Sequence, residues 1–429
     1  MGLVIYNLLL PIAFLFFLPE LILKYRNRGG WKNTYAERFG RFSADRQREL
    51  SAYQGAIWIH AVSVGETVVA LGMIRRYLEL YPDRNFVIST TTTTGQELAR
   101  SKCPERTTVI FCPIDFPWMV RRVFKLLRPS LLVIFETELW PNLLDQAKRF
   151  GVPAVLVNGR MSDHSAKGYR RLSWFFRGLL KKFRLLAVQT PADAERFRSI
   201  APQAPVEVFG NLKFDQAVPE GIADPGLAAY FGSGNFVVLL AASTHPGEEE
   251  LITRQFIDLS GEFPDLRLVI VPRHAERGED ISAMLTRYQV KFCRRSQAAA
   301  AAEPVKVLLA DTTGEMFKFI KAADIVIMGK SLAGHDEGHN LIEPALLDKP
   351  IVTGAVLRNF RFILQVLHDA DAVVTVSEDA ALAAALRRLV SDPQLRQELG
   401  QRAGNAIRQH RGATDRTIKA LESIGTTRR

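Results

Sequence analysis

The sequence contains only three cysteines in 429 residues, Cys103, Cys112 and Cys293, and no two of them form a Cys-x-x-Cys pair. This scarcity excludes a disulfide framework and a zinc site built on thiolates, and it fits a reducing compartment. Repeats of 34 or 40 residues are also absent from the sequence. With 47% hydrophobic and 24% charged residues, the chain is neither disordered, collagenous nor a polytopic membrane protein. Its length predicts two domains of about 200 residues each.

The first half of the chain is poor in acidic residues. Residues 1–215 hold 31 Lys and Arg against 18 Asp and Glu, a net charge of +13, whereas residues 216–429 hold 25 against 27, a net charge of −2. This asymmetry predicts that one half faces an anionic partner, such as a membrane surface, nucleic acid or a phosphorylated substrate. Residues 160–184 carry eight basic side chains interleaved with aromatic ones, a pattern that suits each of these partners and also a solvated helix with one core face.

A long apolar run covers residues 3–18 and is followed by Lys24, Arg26 and Arg28. No basic segment precedes the run and no small-residue cleavage site follows it, so we interpret residues 1–24 as a retained membrane anchor. Such an anchor either spans the membrane or lies deep in its interface, and the basic residues after it predict that the rest of the chain is cytoplasmic. We expect the anchor to lie outside both domains. The alternative is a buried core helix.

Short apolar runs alternate with longer amphipathic segments along most of the chain, which predicts parallel, doubly wound sheets. A segment rich in Pro, Gly and Ala, residues 216–235, is interpreted as a linker between domains at 25–215 and 236–429. The predicted fold class is therefore α/β, with two Rossmann-like domains that face each other across a cleft and bind ligands at the carboxyl ends of their strands. The predicted strands are residues 57–62, 86–90, 109–111, 131–135, 154–158, 185–188 and 206–209, and then residues 236–241, 266–271, 305–309, 325–328, 351–353 and 373–376.

In the first domain, polar residues follow several predicted strands. Ser63 and Glu66 have the spacing of a helix capping box, yet a carboxylate at this edge of a sheet can also act as a general base. Two further carboxylates, Glu136 and Glu138, come directly after a buried strand, where they serve either a site or a helix N-terminus. Lys213 closes the domain and is placed to stabilise a leaving phosphate.

In the second domain, Arg273 ends a predicted strand, where its guanidinium can pair with a phosphate. Residues 314–316 open a predicted helix whose free N–H groups can bind a phosphate or a base edge. Residues 329–344 lead from a strand into a helix start, which is a typical phosphate cradle, and Glu343 one turn in can bind the ribose hydroxyls. The pair His335 and His339 lacks the helical spacing of a metal motif. The sequence from Asp369 to Asp371 matches the Asp-x-Asp of metal-dependent sugar transfer, but its position between a helix and a strand favours a turn.

Taken in order, these segments resemble the 3-deoxy-D-manno-oct-2-ulosonic acid (Kdo) transferases of lipopolysaccharide assembly. The family commonly has a glycine pair before the His-Asn of its last motif, whereas Glu337 precedes Gly338 here and adds negative charge near the predicted phosphate site. The matching segments are the apolar N-terminus, WIHAVSVGE (58–66), ETELWPN (136–142), NGRMSDHSAKGY (158–169), GNLKFD (210–215), VPRH (271–274), GEM (314–316) and GHNLIEPA (338–345).

The resemblance implies an inverting glycosyltransferase of GT-B fold that transfers Kdo from CMP-Kdo to a lipid A precursor, a disaccharide that carries phosphates and acyl chains. It implies Glu66 as the catalytic base, with Glu136 and Lys213 stabilising the transition state. No metal and no further cofactor is expected, because Arg, Lys and helix N-termini can offset the charge of the departing CMP. The implied CMP site consists of Pro272, Arg273, Gly314, Glu315, Met316, Asn340, Leu341, Ile342 and Glu343.

The expected partners are therefore the CMP-Kdo donor, the phosphorylated and acylated acceptor and a membrane surface, but no nucleic acid. The expected location is the inner membrane, with the catalytic domains on its cytoplasmic face. Two alternatives stay open at this point. One is another GT-B glycosyltransferase, or an epimerase, that uses a UDP-sugar. The other is a membrane-attached protein that binds anionic polymers without catalysis, for which we expect steep salt dependence and no turnover.

Overall fold

The computed structural model describes residues 2–26, 36–297 and 300–426, with side chains for all of these except residues 17–26 and 426. The chain divides into two compact units, the first formed by residues 1–216 and 411–429 and the second by residues 217–410. Both are Rossmann-like, with parallel sheets as predicted.

Unit 1 contains a seven-stranded sheet in the order β3-β2-β1-β4-β5-β6-β7, and every neighbouring pair is parallel. Its elements are α1 (Gly2–Arg26), α2 (Ala44–Ser51), β1 (Ile57–His60), α3 (Val64–Leu80), β2 (Phe86–Thr90), α4 (Thr93–Lys102), β3 (Thr107–Phe111), α5 (Pro117–Leu127), β4 (Leu131–Phe135), α6 (Pro141–Arg149), β5 (Ala154–Gly159), α7 (Asp163–Arg171), α8 (Ser173–Leu180), β6 (Phe183–Val188), α9 (Pro191–Ile200) and β7 (Val206–Val208), followed by a 3-10 turn at Leu212–Asp215.

Unit 2 repeats this architecture with the strand order β10-β11-β9-β8-β12-β13-β14, again parallel throughout. Its elements are α10 (Ala228–Phe231), β8 (Val237–Thr244), α11 (Glu248–Glu262), β9 (Leu266–Pro272), a 3-10 turn (Ala275–Arg277), α12 (Gly278–Arg287), β10 (Phe292–Arg294), β11 (Val307–Leu309), α13 (Met316–Ala322), β12 (Ile325–Met328), α14 (Ile342–Leu346), β13 (Ile351–Gly354), α15 (Arg361–Asp369), β14 (Val374–Val376), α16 (Asp379–Ser391) and α17 (Pro393–Gln409), after which α18 (Ala413–Thr426) returns to unit 1.

Helices cover both faces of each sheet, which is why the strands are continuous apolar runs rather than alternating ones. In β1, for example, all four residues are buried. Trp58 packs in the cluster on one face of the sheet, and its neighbour Ile59 packs in the cluster on the other face, because successive side chains point to opposite sides. This arrangement leaves the carboxyl edge of each sheet, where the strands run into loops, as the place for polar chemistry.

The C-terminal helix α18 belongs to unit 1, which corrects the predicted second domain of residues 236–429. The carboxylate of Asp215 accepts hydrogen bonds of 2.6 Å from the backbone N–H groups of Gly412 and Thr414, just before and within the first turn of α18. Arg76 of α3 donates to Asp415 at 2.8 Å, and Arg84 pairs with Glu422. These contacts fix α18 against α3.

The predicted linker, residues 216–235, is likewise not a free connection. From residue 217 onwards it is part of unit 2, and it forms the short helix α10. Tyr230 and Phe231 in this helix are almost fully buried. Because two large aromatic side chains are in the core of unit 2, this half of the segment packs as part of the unit.

Helix α1 packs on unit 1 and is not separate from it, which corrects the expectation for residues 1–24. The Tyr6 hydroxyl donates to Asp115 at 3.0 Å, and Asn142 Nδ2 donates to Asn7 Oδ1 at 2.7 Å. The ring of Phe14 meets Phe116 edge to face. Among the described parts of the chain, no helix combines the length and the hydropathy that a membrane span requires.

Candidate active site

Glu66 lies in the first turn of α3, directly after β1, and its side chain is 7% exposed. Its Oε2 accepts a hydrogen bond from the backbone N–H of Val62 at 2.8 Å, and its Oε1 accepts one from the Ser63 hydroxyl at 2.8 Å. Ser63 Oγ in turn accepts from the Glu66 N–H, so the spacing seen in the sequence does cap the helix. Each carboxylate oxygen has two acceptor sites. The capping bonds therefore leave acceptor capacity on both oxygens.

Glu136 and Glu138 follow β4 on a strained backbone. Glu136 has φ +53°, a left-handed conformation that is uncommon for a residue other than glycine and that concentrates at functional sites. Its Oε2 accepts from Arg160 Nε at 2.9 Å, and the Glu138 carboxylate accepts from the indole N–H of Trp140 at 3.1 Å. The turn thus holds two carboxylates in fixed directions at the carboxyl edge of the sheet.

Lys213 is brought to the same edge by the 3-10 turn after β7. Asn211 caps this turn, since its Oδ1 accepts from the Lys213 N–H at 3.0 Å. Asn158, at φ +57° in β5, accepts from the Leu212 N–H at 3.0 Å and so ties the turn to the sheet. The sequence reasoning singled out Lys213 but not the two asparagines that position it. The signal of Asn158 was a polar side chain at the end of an otherwise apolar strand, whereas Asn211 lies in the loop after β7 and carried no such signal.

The charges of this group act on one another. Burial raises the pKa of Glu66, the hydrogen bonds from Val62 and Ser63 oppose that rise, and the neighbouring Glu136 and Glu138 add to it. Burial also raises the pKa of Glu138. Burial lowers the pKa of Lys213, whereas the negative charges of Glu136 and Glu66 raise it. The structure therefore brings together the three residues predicted for catalysis, Glu66, Glu136 and Lys213, within unit 1.

Unit 2 has a cavity of about 360 Å³ at the carboxyl edge of its own sheet. Seven of the nine residues predicted to bind CMP line it: Pro272, Arg273, Gly314, Glu315, Met316, Asn340 and Glu343. The other two, Leu341 and Ile342, are fully buried in the core and do not line the cavity. Their apolar side chains therefore pack in the core at the start of α14 and do not contribute to the cavity wall.

The carboxylate of Glu315 is held by hydrogen bonds from neighbouring side chains. Arg295 donates to both of its oxygens, at 2.7 and 2.8 Å, and the Thr312 hydroxyl adds a bond of 2.6 Å. The Arg295 guanidinium is the main reason that the pKa of Glu315 falls to about 2. This residue therefore shapes the loop of residues 314–316, and the side chain does not offer a free negative charge to a ligand.

A residue that the sequence reasoning missed, Glu248, organises the loop after β12. Its fully buried carboxylate accepts four backbone N–H bonds of 2.8 to 2.9 Å, one from His245 and three from successive residues of that loop, Lys330, Ser331 and Leu332. A buried carboxylate is stable only when it is paired or hydrogen-bonded in this way. Its sequence signal, an acidic residue at a helix start, is too common to single it out.

Two other features noted in the sequence, Glu337 and the segment from Asp369 to Asp371, are located as follows. Glu337, whose charge was expected to lie near the phosphate site, is 3.6 Å from Lys330 Nζ, so a cation faces it. Asp369 ends α15, and Asp371 lies in the following turn at φ +46°. Among the described residues, no group of three or more His, Cys, Asp or Glu side chains is arranged to hold a metal ion.

Known proteins resemble this chain over most of its length. The sequence family described as 3-Deoxy-D-manno-octulosonic-acid transferase (kdotransferase) matches residues 33–216. The 3-deoxy-D-manno-octulosonic acid transferase of Haemophilus influenzae is 30% identical over 395 residues, which cover 91% of each protein. That of Bordetella pertussis is 32% identical over 416 residues, covering 92% of this chain and 93% of the relative. The chain belongs to the Kdo transferase family.

Membership in the Kdo transferase family confirms the predicted resemblance and the prediction of a glycosyltransferase. Solved structures add support for the fold alone. A glycosyltransferase from Rickettsia africae has a TM-score of 0.57 at 11% identity, over 86% of this chain and 98% of that one. The S. aureus MnaA-UDP structure has a TM-score of 0.54 at 15% identity, over 86% and 96%. Two Rossmann-like units of the GT-B type are thus common to this Kdo transferase family member and to these two proteins.

Proposed function

We propose that this chain transfers Kdo from CMP-Kdo to a phosphorylated, acylated disaccharide precursor of lipid A, with inversion at the anomeric carbon. One observation carries the mechanism. Glu66, in a chain of the Kdo transferase family, is a buried carboxylate held by two hydrogen bonds beside two further carboxylates. That is the environment of a general base rather than of a simple helix cap.

In the proposed reaction, Glu66 accepts the proton of the acceptor hydroxyl while that oxygen forms its bond to the anomeric carbon of Kdo. The bond between this carbon and the CMP phosphate breaks at the same time, and the electron pair leaves with CMP. A base must be partly ionised and still basic at the working pH, and burial beside other carboxylates raises the pKa of Glu66 in that direction. Val62 and Ser63 meanwhile fix the direction of the carboxylate.

Glu136 and Lys213 are proposed to stabilise the transition state by charge. Glycosyl transfer passes through a state in which the sugar resembles an oxocarbenium ion, so positive charge develops on the sugar and negative charge on the leaving phosphate. A fixed carboxylate stabilises the positive charge and a fixed ammonium group stabilises the negative charge, and neither side chain has to move for this. The ion pair between Glu136 and Arg160 and the cap at Asn211 provide that fixed geometry.

For the donor, we propose the cavity of unit 2. Arg273 and Asn340 offer donors for phosphate and base, and Glu343 is an acceptor for ribose hydroxyls. Asn340 Nδ2 donates to Glu343 Oε1 at 3.2 Å, which links the two side chains on one wall. We further propose that the reaction needs no metal, because Arg273 and Lys213 can offset the phosphate charge. Activity is then expected to survive excess EDTA, and a loss restored by magnesium or manganese contradicts this.

For the acceptor, we propose that unit 1 works at the cytoplasmic face of the inner membrane, with α1 in the interface. The outer side of α1 presents Val4, Leu8, Ile12 and Leu15, each more than half exposed. Trp174 of α8, next to α1, is 53% exposed and lies in the segment rich in basic residues. An apolar helix face flanked by aromatic and basic residues is the pattern of an interfacial helix.

Substitution Glu66→Gln tests the function. The amide keeps the size of the side chain and its bond to the Val62 N–H, so melting temperature and CMP affinity stay near those of the unmodified chain. It cannot take up the proton, so transfer from CMP-Kdo to a tetra-acylated precursor falls by about 10²- to 10⁴-fold. The lipid product is measured by mass spectrometry.

Glu79→Gln is the matched control, because Glu79 lies in the last turn of the same helix and is exposed. We expect it to keep full transfer activity. Near-normal turnover in Glu66→Gln contradicts the base assignment and redirects the search to Glu138. If the unmodified chain makes no Kdo-lipid product at all, the proposed reaction itself is wrong.

A further inference from the structure

Four of the eight histidines in the chain lie together in unit 2. They come from the loops after β8, β9 and β12. The ring of His245 stacks on that of His339 with centroids 5.2 Å apart, and lies 5.6 Å from His335 and 6.0 Å from His274. Among the described residues, no group of three such side chains is arranged to hold a metal ion.

His245 and His339 are joined directly, Nε2 to Nε2, at 3.0 Å. Such a bond needs one N–H and one lone pair, so the two neutral rings have opposite tautomers. A further proton can be added at Nδ1 of the donating ring. The resulting imidazolium still donates to its partner, and the bond becomes charge-assisted. The pair can therefore accept one positive charge without moving.

Positive charges surround this pair. Lys330 lies near both rings, Arg277 lies near His245 and Arg273 lies near His339. Burial, followed by these charges, lowers the pKa of His245 to about 4 and that of His339 to about 3.

The nearby carboxylates are committed to other groups. Glu248 accepts four backbone N–H bonds, Glu249 pairs with Arg277, and Glu337 and Glu276 lie near Lys330 and His274. At neutral pH the pair is uncharged, and each of these four carboxylates already has another partner.

His339 lines the cavity together with Arg273. We propose that the His245–His339 pair takes up one proton when an anionic group of the nucleotide sugar occupies this cavity, and then binds that group as a cation. The inference rests on the proposed donor site. An anion within a few ångströms favours the protonated form of an imidazole, which reverses the effect of the surrounding cations. Because the complex then binds more protons than the free protein, affinity rises as the pH falls.

Calorimetry of the full chain with CMP tests this inference. At pH 7.5 and above CMP is already a dianion, since the second pKa of a phosphate ester is about 6. Titrations in Hepes and in Tris, which differ in ionisation enthalpy, give the number of protons taken up for each CMP bound. We expect net uptake in the unmodified chain and tighter binding at pH 7.5 than at pH 8.5.

His245→Gln and His339→Gln keep a side chain that can hydrogen-bond near the Nε2 position but cannot carry the charge. We expect proton uptake to disappear in the chain that carries both substitutions, with CMP binding about tenfold weaker, as for loss of one charged hydrogen bond. His335→Gln is the control, because His335 lies in the cluster but not on the cavity wall. It should retain the uptake.

The outcomes separate this inference from the donor site itself. CMP binding without proton uptake in the unmodified chain overturns the inference and leaves the donor site in place. Proton uptake that persists in the doubly substituted chain, or that vanishes in His335→Gln, puts the proton elsewhere and also overturns the inference. If CMP does not bind at all, the proposed donor site is wrong, and the inference falls with it.

Discussion

Three glutamates show how the surroundings of one residue type decide its role. The carboxylate of Glu248 takes four backbone N–H bonds, and that of Glu315 is enclosed by Arg295 and Thr312. Glu66 receives only two bonds and has other carboxylates for neighbours. The first two side chains are fully committed to holding loops, whereas the third keeps capacity to accept a proton from a substrate.

At this residue scale, Glu138→Gln is predicted to change the pH dependence of transfer. Glu136 and Glu138 both raise the pKa of Glu66. With Glu66 as the proposed base, we expect the activity of the unmodified enzyme to be lost as the pH falls through that raised pKa, because Glu66 becomes protonated. Removing the Glu138 charge lowers the pKa of Glu66, so the acid limb of kcat/KM moves to lower pH. The rate is measured between pH 4.5 and 8.

The glutamine in this variant can still accept from the Trp140 N–H, so the turn is expected to keep its shape. Glu195→Gln, on the exposed side of α9, serves as the control and leaves the limb in place. An acid limb that does not move in Glu138→Gln, or one that moves to higher pH, shows that the ionisation seen in the profile does not belong to Glu66.

At the scale of elements, α1 has two different faces. One face carries Tyr6, Asn7 and Phe14, which bind unit 1 through hydrogen bonds and an aromatic contact. Asp115, the partner of Tyr6, also accepts from the N–H groups of Asn142 and Leu143 at the start of α6. The other face is apolar and exposed. Polar anchoring on one side leaves the apolar side available to a membrane interface.

We therefore predict that Leu8→Glu combined with Ile12→Glu abolishes binding to vesicles that contain anionic lipid, as measured by co-sedimentation. Both side chains are more than half exposed, so the melting temperature stays within about 2 °C, because exposed substitutions change stability little. Val356→Glu, an equally exposed apolar position in unit 2, is the control and keeps vesicle binding. Vesicle binding that survives the double substitution contradicts the interfacial role of α1.

The elements themselves were largely predictable from the sequence. Strands such as Phe86–Thr90 and Leu131–Phe135 have the predicted bounds, because buried parallel strands are continuous apolar runs. Strand β10, Phe292–Arg294, was missed because three residues of mixed polarity carry no period. Of the site, Arg273 and Glu66 could be located at strand ends. Glu248, His245 and Asn158 could not, because their roles depend on contacts between loops that are far apart in sequence.

At the scale of the whole molecule, the chain leaves unit 1 after residue 216 and returns to it at residue 411. Helix α18 then completes one core cluster of unit 1, to which Ala413, Ile418 and Leu421 contribute along with Ile59 and Ala70. Nothing in the composition of α18 distinguishes it from the helices of unit 2. The contacts of Asp215 and Arg76 are what assign it to unit 1.

Asp215→Asn is predicted to loosen α18. The asparagine loses the charge that strengthens two backbone hydrogen bonds, each worth about 1.5–3 kcal/mol when the acceptor is charged. We expect a melting temperature several degrees lower and faster amide exchange in α18, followed by hydrogen-exchange mass spectrometry. Asp163→Asn removes an exposed charge from the same unit and should change neither. Unchanged exchange in α18 contradicts the role given to Asp215.

The return of α18 also sets the order in which the protein matures on the ribosome. Synthesis runs from the N-terminus, so every residue of unit 2 is made before the helix that finishes unit 1. Helix α3, whose first turn holds Glu66, gains its ion pair from Arg76 to α18 only when residue 415 has been made. A chain that stops at residue 410 therefore contains all the residues that line the cavity of unit 2. It lacks the contact between Arg76 and Asp415 that holds α3, the helix in which the proposed base Glu66 lies. We therefore expect turnover only after the residues of α18 have been made.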